Sequence, residues 1–478
     1  MSFIPSQVLA QGAFGSLSTF NDTPLVQITA QYGLLDDVLV AASGGTVTTA
    51  DSKFIASTGV GANNVAAIIS AREAQYRAGQ GLTCRLTSIF TAGVANSAQQ
   101  AGFITSESAF AFGYNGADFG ILHAKDGALE QQVLTITSGA GGSENATVTI
   151  DGTPYVVPIT AGTPQRNAYE IAINLDAAVP VFGFTSNGDT VICLGQLPDF
   201  GAGSFAFSSA TAVAAWVEVQ AATLPTEVWV NKADWNVNPD INIDPTLGNV
   251  YQIQVQYLGF GGIRFYVENP ETAELEVVHI IKYANSATVP SVTNPIFRVG
   301  WACRNTGNTS DIVVSGASGS AFIEGVIVLD GKPRGDCHTQ LAVGTTRTNI
   351  QTIRNRRTFN GTANRAEMVL QTLSLATDTS KVAFFELVVN PEVAPADFLS
   401  FSYFDEATSL LEEATDNVAI TGGDVVACYS VVAGSSPIID LTKIFRGLSP
   451  GDTLSIAADV SSGAAAEMDI SLVWKDDL

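Results

Sequence analysis

The chain has 478 residues, and 46 Asp and Glu against 22 Lys and Arg give it a formal net charge of −24. A net charge this negative excludes nucleic-acid binding that is driven by the overall field, although binding through a local basic cluster remains possible in principle. Only 14% of the residues are charged and 46% are hydrophobic, which suggests surfaces partly covered by copies of the chain or by partners.

No apolar run approaches the roughly 18 residues that a membrane span requires, so we expect no membrane insertion. The first residues, MSFIPSQVLAQGAFG, carry no Lys or Arg before their apolar residues and do not predict a Sec signal peptide. We therefore expect synthesis in a cytoplasm and release only within an assembly. Five scattered cysteines without a CxxC pair predict buried free thiols.

Residues 1–45 are a mixed lead segment that contains an amphipathic stretch. We interpret this segment as an attachment or assembly element, and an extra strand of the first sandwich is the equal alternative. The apolar residues of the stretch are Leu25, Val26, Ile28, Tyr32, Leu34, Leu35, Val38 and Leu39.

Period-2 alternation dominates the rest of the chain. Clear examples are YQIQVQYL at 251–258, IRFYVEN at 263–269 and LEVVHIIKY at 275–283. Short alternating strands separated by turns at about ten-residue spacing predict sandwiches or barrels. We assign residues 46–129 and 211–330 to one β-sandwich.

Residues 130–210 differ and predict a small α+β module inserted into that sandwich. Thr163 is a candidate N-cap with Pro164 at the first helical position, so we expect a helix over 163–179. Asn187-Gly188 between two apolar runs predicts a hairpin with a primed turn. The apolar face of the expected helix consists of Ala168, Ile171, Ala172 and Leu175.

A turn-rich linker, GKPRGDC near 331–338, precedes a second all-β domain at 336–478. The predicted fold class is therefore mainly β, with two jelly-roll-like β-sandwiches, the first interrupted by the α+β insertion.

The stretch DWNVNPDINIDP places Asp or Asn at every second position from 234 to 244. Such side chains supply the oxygen ligands that a hard cation such as Ca²⁺ prefers. Spacing of two on an extended strand separates ligands by about 6–7 Å, too far for one ion unless the chain curls. A polar loop is the favoured alternative, and no cofactor is required. The candidate ligands are Asp234, Asp240, Asn242 and Asp244.

Catalytic chemistry has weak support in the sequence. Glycoside hydrolysis needs two carboxylates on one face, but the glutamates from 268 to 276 straddle a turn. Only His123, His279 and His338 could serve as bases, and no G-x-S-x-G elbow is present. We expect no enzymatic activity.

A basic cluster, TRTNIQTIRNRRTFNG, opens the second β domain at 346–361. It could contact a neighbouring subunit or an acidic host glycan, or it could be a solvated strand edge that blocks aggregation. Two further arginines lie beside Tyr76 in the first sandwich. The candidate subunit-contact residues are Arg347, Arg354, Arg356, Arg357, Arg72 and Arg77.

Phrase-like stretches at 46–90, 99–123, 248–325 and 450–478 carry a family resemblance. They include AREAQYRAGQGLTCRLT, QVQYLGFGGIRFYVENPE and the ending PGDTLSIAADVSSG. Together they resemble tail-fibre and virion-surface proteins of bacteriophages and large DNA viruses. The resemblance implies a core like a laminin-G or concanavalin-like sandwich and a virion location.

These observations lead us to expect a virion structural protein, a fibre, spike or other surface component. We expect it to assemble with itself, with a trimer favoured, and with other virion proteins, and to contact a host-surface glycan. A glycan-binding, lectin-like adhesin is the alternative function, and a polysaccharide-cleaving enzyme is the second alternative.

Overall fold

The computed structural model describes residues 22–35, 37–179, 182–195, 204–325, 331–394, 397–444 and 447–477. Antiparallel sheets make up most of the described chain, so the predicted mainly-β class is confirmed. The chain divides into two compact units. Unit 1 takes its described residues from 22–128 and 223–325, and unit 2 takes them from 129–195, 204–222 and 331–477.

The first part of unit 1 consists of short alternating strands. A short 3₁₀ helix, Ala30–Tyr32, follows the first of them. The strands are β1 (Asp22–Thr29), β2 (Val38–Ser43), β3 (Thr46–Ala50), β4 (Lys53–Ser57), β5 (Val65–Ser70), β6 (Leu82–Phe90), β7 (Ser97–Ile104), β8 (Ala109–Asn115) and β9 (Asp118–Lys125).

The inserted module comes next in the chain. Its strands and its helix are β10 (Gln131–Ser138), β11 (Glu144–Ile150), β12 (Thr153–Ile159), α1 (Pro164–Ala178), β13 (Phe182–Asn187), β14 (Thr190–Gly195), β15 (Phe205–Ser208) and β16 (Val213–Gln220).

The chain then returns to unit 1. A 3₁₀ helix, Lys232–Asp234, follows the first returning strand. The strands are β17 (Thr226–Asn231), β18 (Asn249–Val255), β19 (Ile263–Glu268), β20 (Leu275–Ile281), β21 (Arg298–Asn305), β22 (Val313–Gly316) and β23 (Ser318–Glu324).

The C-terminal part of unit 2 is also built of strands, with a 3₁₀ helix at Leu441–Lys443. The strands are β24 (Pro333–Val343), β25 (Thr348–Asn355), β26 (Thr358–Phe359), β27 (Thr362–Ala363), β28 (Glu367–Thr377), β29 (Ala383–Val393), β30 (Ser402–Tyr403), β31 (Leu411–Ala414), β32 (Ile420–Val431), β33 (Ile438–Asp440), β34 (Thr453–Val460) and β35 (Ala466–Asp477).

Unit 1 is a sandwich of two antiparallel sheets. One has the order β20-β19-β18-β6-β22-β4-β3, with β23 paired to β6 and β1 paired to β23, and the other runs β17-β9-β8-β7-β21-β5-β2. Their inner faces share one core, in which Phe112 of β8 packs 4.7 Å from Tyr251 of β18, centroid to centroid. Trp301 is fully buried in the same core.

The amphipathic lead stretch forms strands of this sandwich. Val26 and Ile28 are buried in β1, and Val38 is buried in β2, which pairs with β5. The structure thus shows the added strands that the sequence left as an alternative. Residues 1–21 of the expected attachment segment lie outside the described residues, and its assembly role stays a prediction.

The module combines two sheets with one helix, as its sequence predicts. The sheets have the orders β13-β14-β10-β16 and β12-β11-β15. Thr163 caps α1 by accepting a hydrogen bond from the Arg166 backbone N–H, and Ala168, Ile171 and Leu175 are fully buried. Since β16 pairs with β10, the module extends beyond the expected boundary at 210.

The C-terminal part of unit 2 is a second sandwich. Its sheets have the orders β24-β35-β28-β33 and β30-β31-β25-β34-β29-β32, and Trp474 is fully buried between them. The expected linker at 331–338 is mostly strand, because β24 begins at Pro333 and pairs with β35. The expectation of buried thiols holds for Cys84, Cys193 and Cys303, whereas Cys337 and Cys428 are exposed.

Two isoleucines of α1 provide a test of the module's core. Ile171 is fully buried and Ile173 is 49% exposed, so Ile171→Ala removes core packing that Ile173→Ala leaves in place. We expect Ile171→Ala to lower the free energy of unfolding by about 3 kcal/mol and Ile173→Ala by less than about 1 kcal/mol. Urea unfolding followed by circular dichroism measures both, and equal losses would contradict the assigned helix face.

Candidate functional site

The basic cluster of 346–361 folds inward. Arg354 is the penultimate residue of β25, a central strand, and only 5% of its surface is exposed. Its Nε and Nη2 atoms lie 2.7 Å from Oε2 of Glu412, which is 1% exposed, and its guanidinium stacks 3.8 Å from the Phe401 ring centroid. This ion pair is therefore part of the interior of unit 2.

The neighbouring arginines are also engaged within the chain. Arg356 is 3% exposed, stacks on Phe359 and Tyr403, and donates to the Glu406 carbonyl. Arg347 pairs with Glu386 at 3.0 Å. Burial thus removes Arg354 and Arg356 from any contact with a neighbouring subunit.

The expected subunit contact through Arg347 and Arg357 stays a prediction. The same holds for Arg72 and Arg77, which are half-buried after β5 in unit 1 and interact with other residues of the chain.

A pocket of about 330 Å³ lies between the module and the second sandwich, inside unit 2. Helix α1, strand β13 and the ends of β25, β29 and β34 contribute its walls. Three aromatic residues line it, namely Tyr169, Phe184 and Phe401. The polar lining consists of Asp176, Thr185, Ser186, Arg354, Arg357, Asn390, Glu392 and Thr453.

The hairpin between β13 and β14 fixes one side of the pocket. Asn187 pairs with Thr190, so the turn lies at Gly188-Asp189, one residue beyond the predicted pair. Gly188 has φ +53°, a conformation that favours glycine, and its N–H donates to the Phe401 carbonyl. Asn187 Nδ2 donates to Glu412 Oε1 at 2.9 Å, and the Ser186 carbonyl accepts from Arg354. These bonds tie the hairpin to the second sandwich.

Asp176 and Arg357 fix the other side. Asp176 Oδ1 accepts from the Phe184 backbone N–H at 2.7 Å and lies 3.2 Å from Arg357 Nη2. Gly451 leaves the space for this guanidinium, because a Cβ there would lie 2.7 Å from Arg357 Cζ. Both charged groups are thus held in place before any ligand arrives.

Sequence reasoning found only part of this pocket. The basic run pointed to Arg354 and Arg357, but Asp176, Glu392 and Tyr169 stand in no motif. The one available signal for Asp176 is its place on the predicted helix, one residue beyond the buried Leu175.

The acidic and amide stretch at 234–244 follows an edge of unit 1. Asn236 exchanges two hydrogen bonds with the Ile280 backbone, and Asn238 Nδ2 donates to Glu276. Trp235 and Ile241 point into the core, so the alternation is that of a chain lying along β20.

The candidate cation ligands are not brought together by this arrangement. Asp234, Asp240 and Asn242 are exposed, and two hydrogen bonds from Thr246 lower the pKa of Asp244. Among the residues that the structure describes, no group of three or more His, Cys, Asp or Glu side chains could hold a metal ion.

Two histidines have structural roles. His123 Nε2 lies 2.8 Å from the Ser291 carbonyl and its ring stacks on Phe110. His279 Nδ1 accepts from the Asn236 N–H. Burial lowers the pKa of both rings.

Asp336 and Glu413 form a pair of carboxyl groups in the second sandwich. Gln351 Nε2 donates to Asp336 Oδ2 at 2.7 Å and to Glu413 Oε2 at 2.6 Å. Burial, followed by the Asp336 charge, raises the pKa of Glu413, while the hydrogen bond from Gln351 opposes the rise. Both carboxyls thus accept from one amide nitrogen that lies between them, whereas a glycosidase needs its carboxyls about 5–10 Å apart with the sugar between them.

No family model and no curated protein match this chain. Its similar solved structures include the LamAcat structure from Zobellia galactanivorans, at 9% identity and a TM-score of 0.28, covering 64% of this chain and 99% of that one. Another is the legume lectin-like domain from Entamoeba histolytica, at 10% identity and a TM-score of 0.23, covering 60% and 91%.

A third is arcelin-5, a lectin-like defense protein from Phaseolus vulgaris, at 9% identity and a TM-score of 0.25, covering 63% of this chain and 100% of that one. Identities and TM-scores this low transfer nothing about binding or catalysis, so the fold assignment depends on the strand pairing itself. In the part of the chain that the structure describes, every helix is too short or too polar to cross a membrane.

Chelation tests the stretch at 234–244. Because its amides bond to β20 and Asp244 accepts from Thr246, we expect the same melting temperature in excess EDTA and in excess Ca²⁺. Differential scanning fluorimetry measures it. A melting temperature that increases when Ca²⁺ is added, and that no longer increases in Asp240→Asn, would instead place an ion in this segment.

The carboxyl pair predicts a specific pH dependence. A raised pKa means that the folded state favours protonated Glu413, so its stabilising contribution is complete below the ordinary pKa and is lost as pH rises through the raised one. We therefore expect the free energy of unfolding of Glu413→Gln, relative to that of the parent chain, to be higher at pH 7 than at pH 4.

Urea midpoints at the two pH values measure this difference. Glu406→Gln, at an exposed glutamate of the same sandwich, should follow the parent chain. An unchanged difference between Glu413→Gln and the parent chain at the two pH values would show that folding does not raise the pKa of Glu413.

Proposed function

We propose that the protein binds carbohydrate through the pocket of unit 2 and acts as a surface-exposed attachment component without cleaving its ligand. One observation carries this proposal. The pocket combines aromatic side chains with hydrogen-bonding groups that are already held in position.

This combination suits a sugar ring. A pyranose has apolar C–H faces that pack on aromatic rings and an edge of hydroxyls that both donate and accept. Tyr169 and Phe184 provide aromatic surface, Asp176 accepts, and Arg357 donates. The volume lies near the lower end of the roughly 300–1,000 Å³ typical of small-molecule pockets, which suits one or two sugar units.

A cleaving enzyme has less support. The Gln351 amide bridges the carboxyls of Asp336 and Glu413, so it occupies the place between them where a glycosidic bond would lie. Neither residue lines the pocket. We therefore favour binding over hydrolysis.

The virion location and the self-assembly stay predictions from the sequence resemblance. They are compatible with carbohydrate binding, because a surface component of a virion can serve as the adhesin.

A blocking substitution tests the proposed function. Ile173 lines the pocket and is 49% exposed, so Ile173→Trp fills the pocket without removing core packing. We expect the intact protein to retain glycans on an array and Ile173→Trp to bind them at least tenfold more weakly. Isothermal titration with the retained glycan measures the affinity.

Ile438→Trp is the matched control, because Ile438 is 76% exposed in the same unit and does not line the pocket. It should bind like the parent chain. Equal binding by the parent chain and Ile173→Trp, or no retained glycan at all, would overturn the proposal.

A further inference from the structure

The arginines of the pocket are neutralised by residues of the chain itself. Arg354 is paired with the buried Glu412, and Arg357 is paired with Asp176. A guanidinium that already has a carboxylate partner attracts a second anion weakly, because the two opposite charges largely cancel at the distance of a ligand. The presence of two arginines therefore does not make this an anion site.

Glu392 adds a further negative charge. It lines the pocket from the end of β29, where its side chain is exposed, and it has no ion pair within the described part of the chain. Two positive groups thus stand against the three carboxylates of Asp176, Glu392 and Glu412. The resulting field opposes a carboxylate or sulfate on an incoming sugar.

The pair of Asp176 and Arg357 can instead read two adjacent hydroxyls. The Asp176 side chain is 42% exposed and uses Oδ1 for its contacts with Phe184 and Arg357, so Oδ2 can accept from a hydroxyl. Arg357 has five N–H donors, and its contact with Asp176 uses Nη2. An acceptor beside a donor matches a vicinal diol, whose hydroxyls can donate on one side and accept on the other.

We infer that this pocket selects an uncharged sugar with a vicinal diol, read by Asp176 and Arg357, and that Glu392 rejects acidic sugars. The inference rests on the proposed carbohydrate binding and specifies its ligand class. Anionic glycans, which the basic run alone would favour, become the competing outcome.

An array with two ligand classes tests the inference. One class ends in neutral hexoses and the other in sialic acid, glucuronate or sulfated sugars, on the same linkers. We expect the full chain to bind neutral glycans at least tenfold better than acidic ones. Glu392→Gln should raise the ratio of acidic to neutral binding several-fold, and this rise should shrink at high salt because screening weakens charge repulsion.

Controls separate the two ways in which the result could fail. Glu406→Gln removes an exposed glutamate outside the pocket and should leave the ratio as it is in the parent chain. Preferred binding of acidic glycans that Ile173→Trp blocks would overturn this inference and keep the proposed function. The absence of any retained glycan would overturn both.

Discussion

The buried ion pair of Arg354 and Glu412 is the constraint on which unit 2 depends. Two charges removed from water are costly unless each is paired and hydrogen-bonded. Here the module supplies one further hydrogen bond to the Arg354 guanidinium and one to the Glu412 carboxylate. The Ser186 carbonyl accepts from Arg354 and Asn187 donates to Glu412. Breaking such a pair by removing one partner typically costs about 3–5 kcal/mol. The second sandwich therefore supplies the ion pair, and the module's hairpin completes it.

The pocket follows from this constraint. Once the hairpin is fixed to the second sandwich, helix α1 presents Tyr169 and Asp176 opposite Arg357 and Phe401. Asp176 then pairs with Arg357, which neutralises the second arginine. The same contacts that join the module to the sandwich thus set the charge of the pocket. A basic sequence run thus becomes the wall of a pocket in which Arg354 and Arg357 are both paired with carboxylates.

The sequence predicts local structure here better than long-range pairing. Thr163 and Pro164 start the helix, and the hairpin turn lies at Gly188-Asp189, one residue beyond the predicted Asn187-Gly188, because caps and tight turns depend on residues close in the chain. Glu412 is 58 residues from Arg354, and Asp176 is 181 residues from Arg357. Such partners have no spacing rule. The basic run therefore suggested a subunit contact when Arg354 and Arg356 are in fact buried. The alternation at 234–244 left two interpretations open for a related reason, since one pattern serves both a ligand set and a chain along a strand edge.

The insertion shows why chain order did not predict which domain the module joins. Ala128 and Thr223, where the chain leaves unit 1 and returns to it, exchange backbone hydrogen bonds, and β9 continues this pairing with β17. The two chain segments of unit 1 thus pair with each other on either side of the insertion. The module's hairpin, in contrast, carries the Ser186 carbonyl and the Asn187 amide, which lie outside its own strand pairing and need partners when buried. Arg354 and Glu412 provide them in the second sandwich. The polar groups of the hairpin thus depend on partners in unit 2, to which the pocket residues also belong.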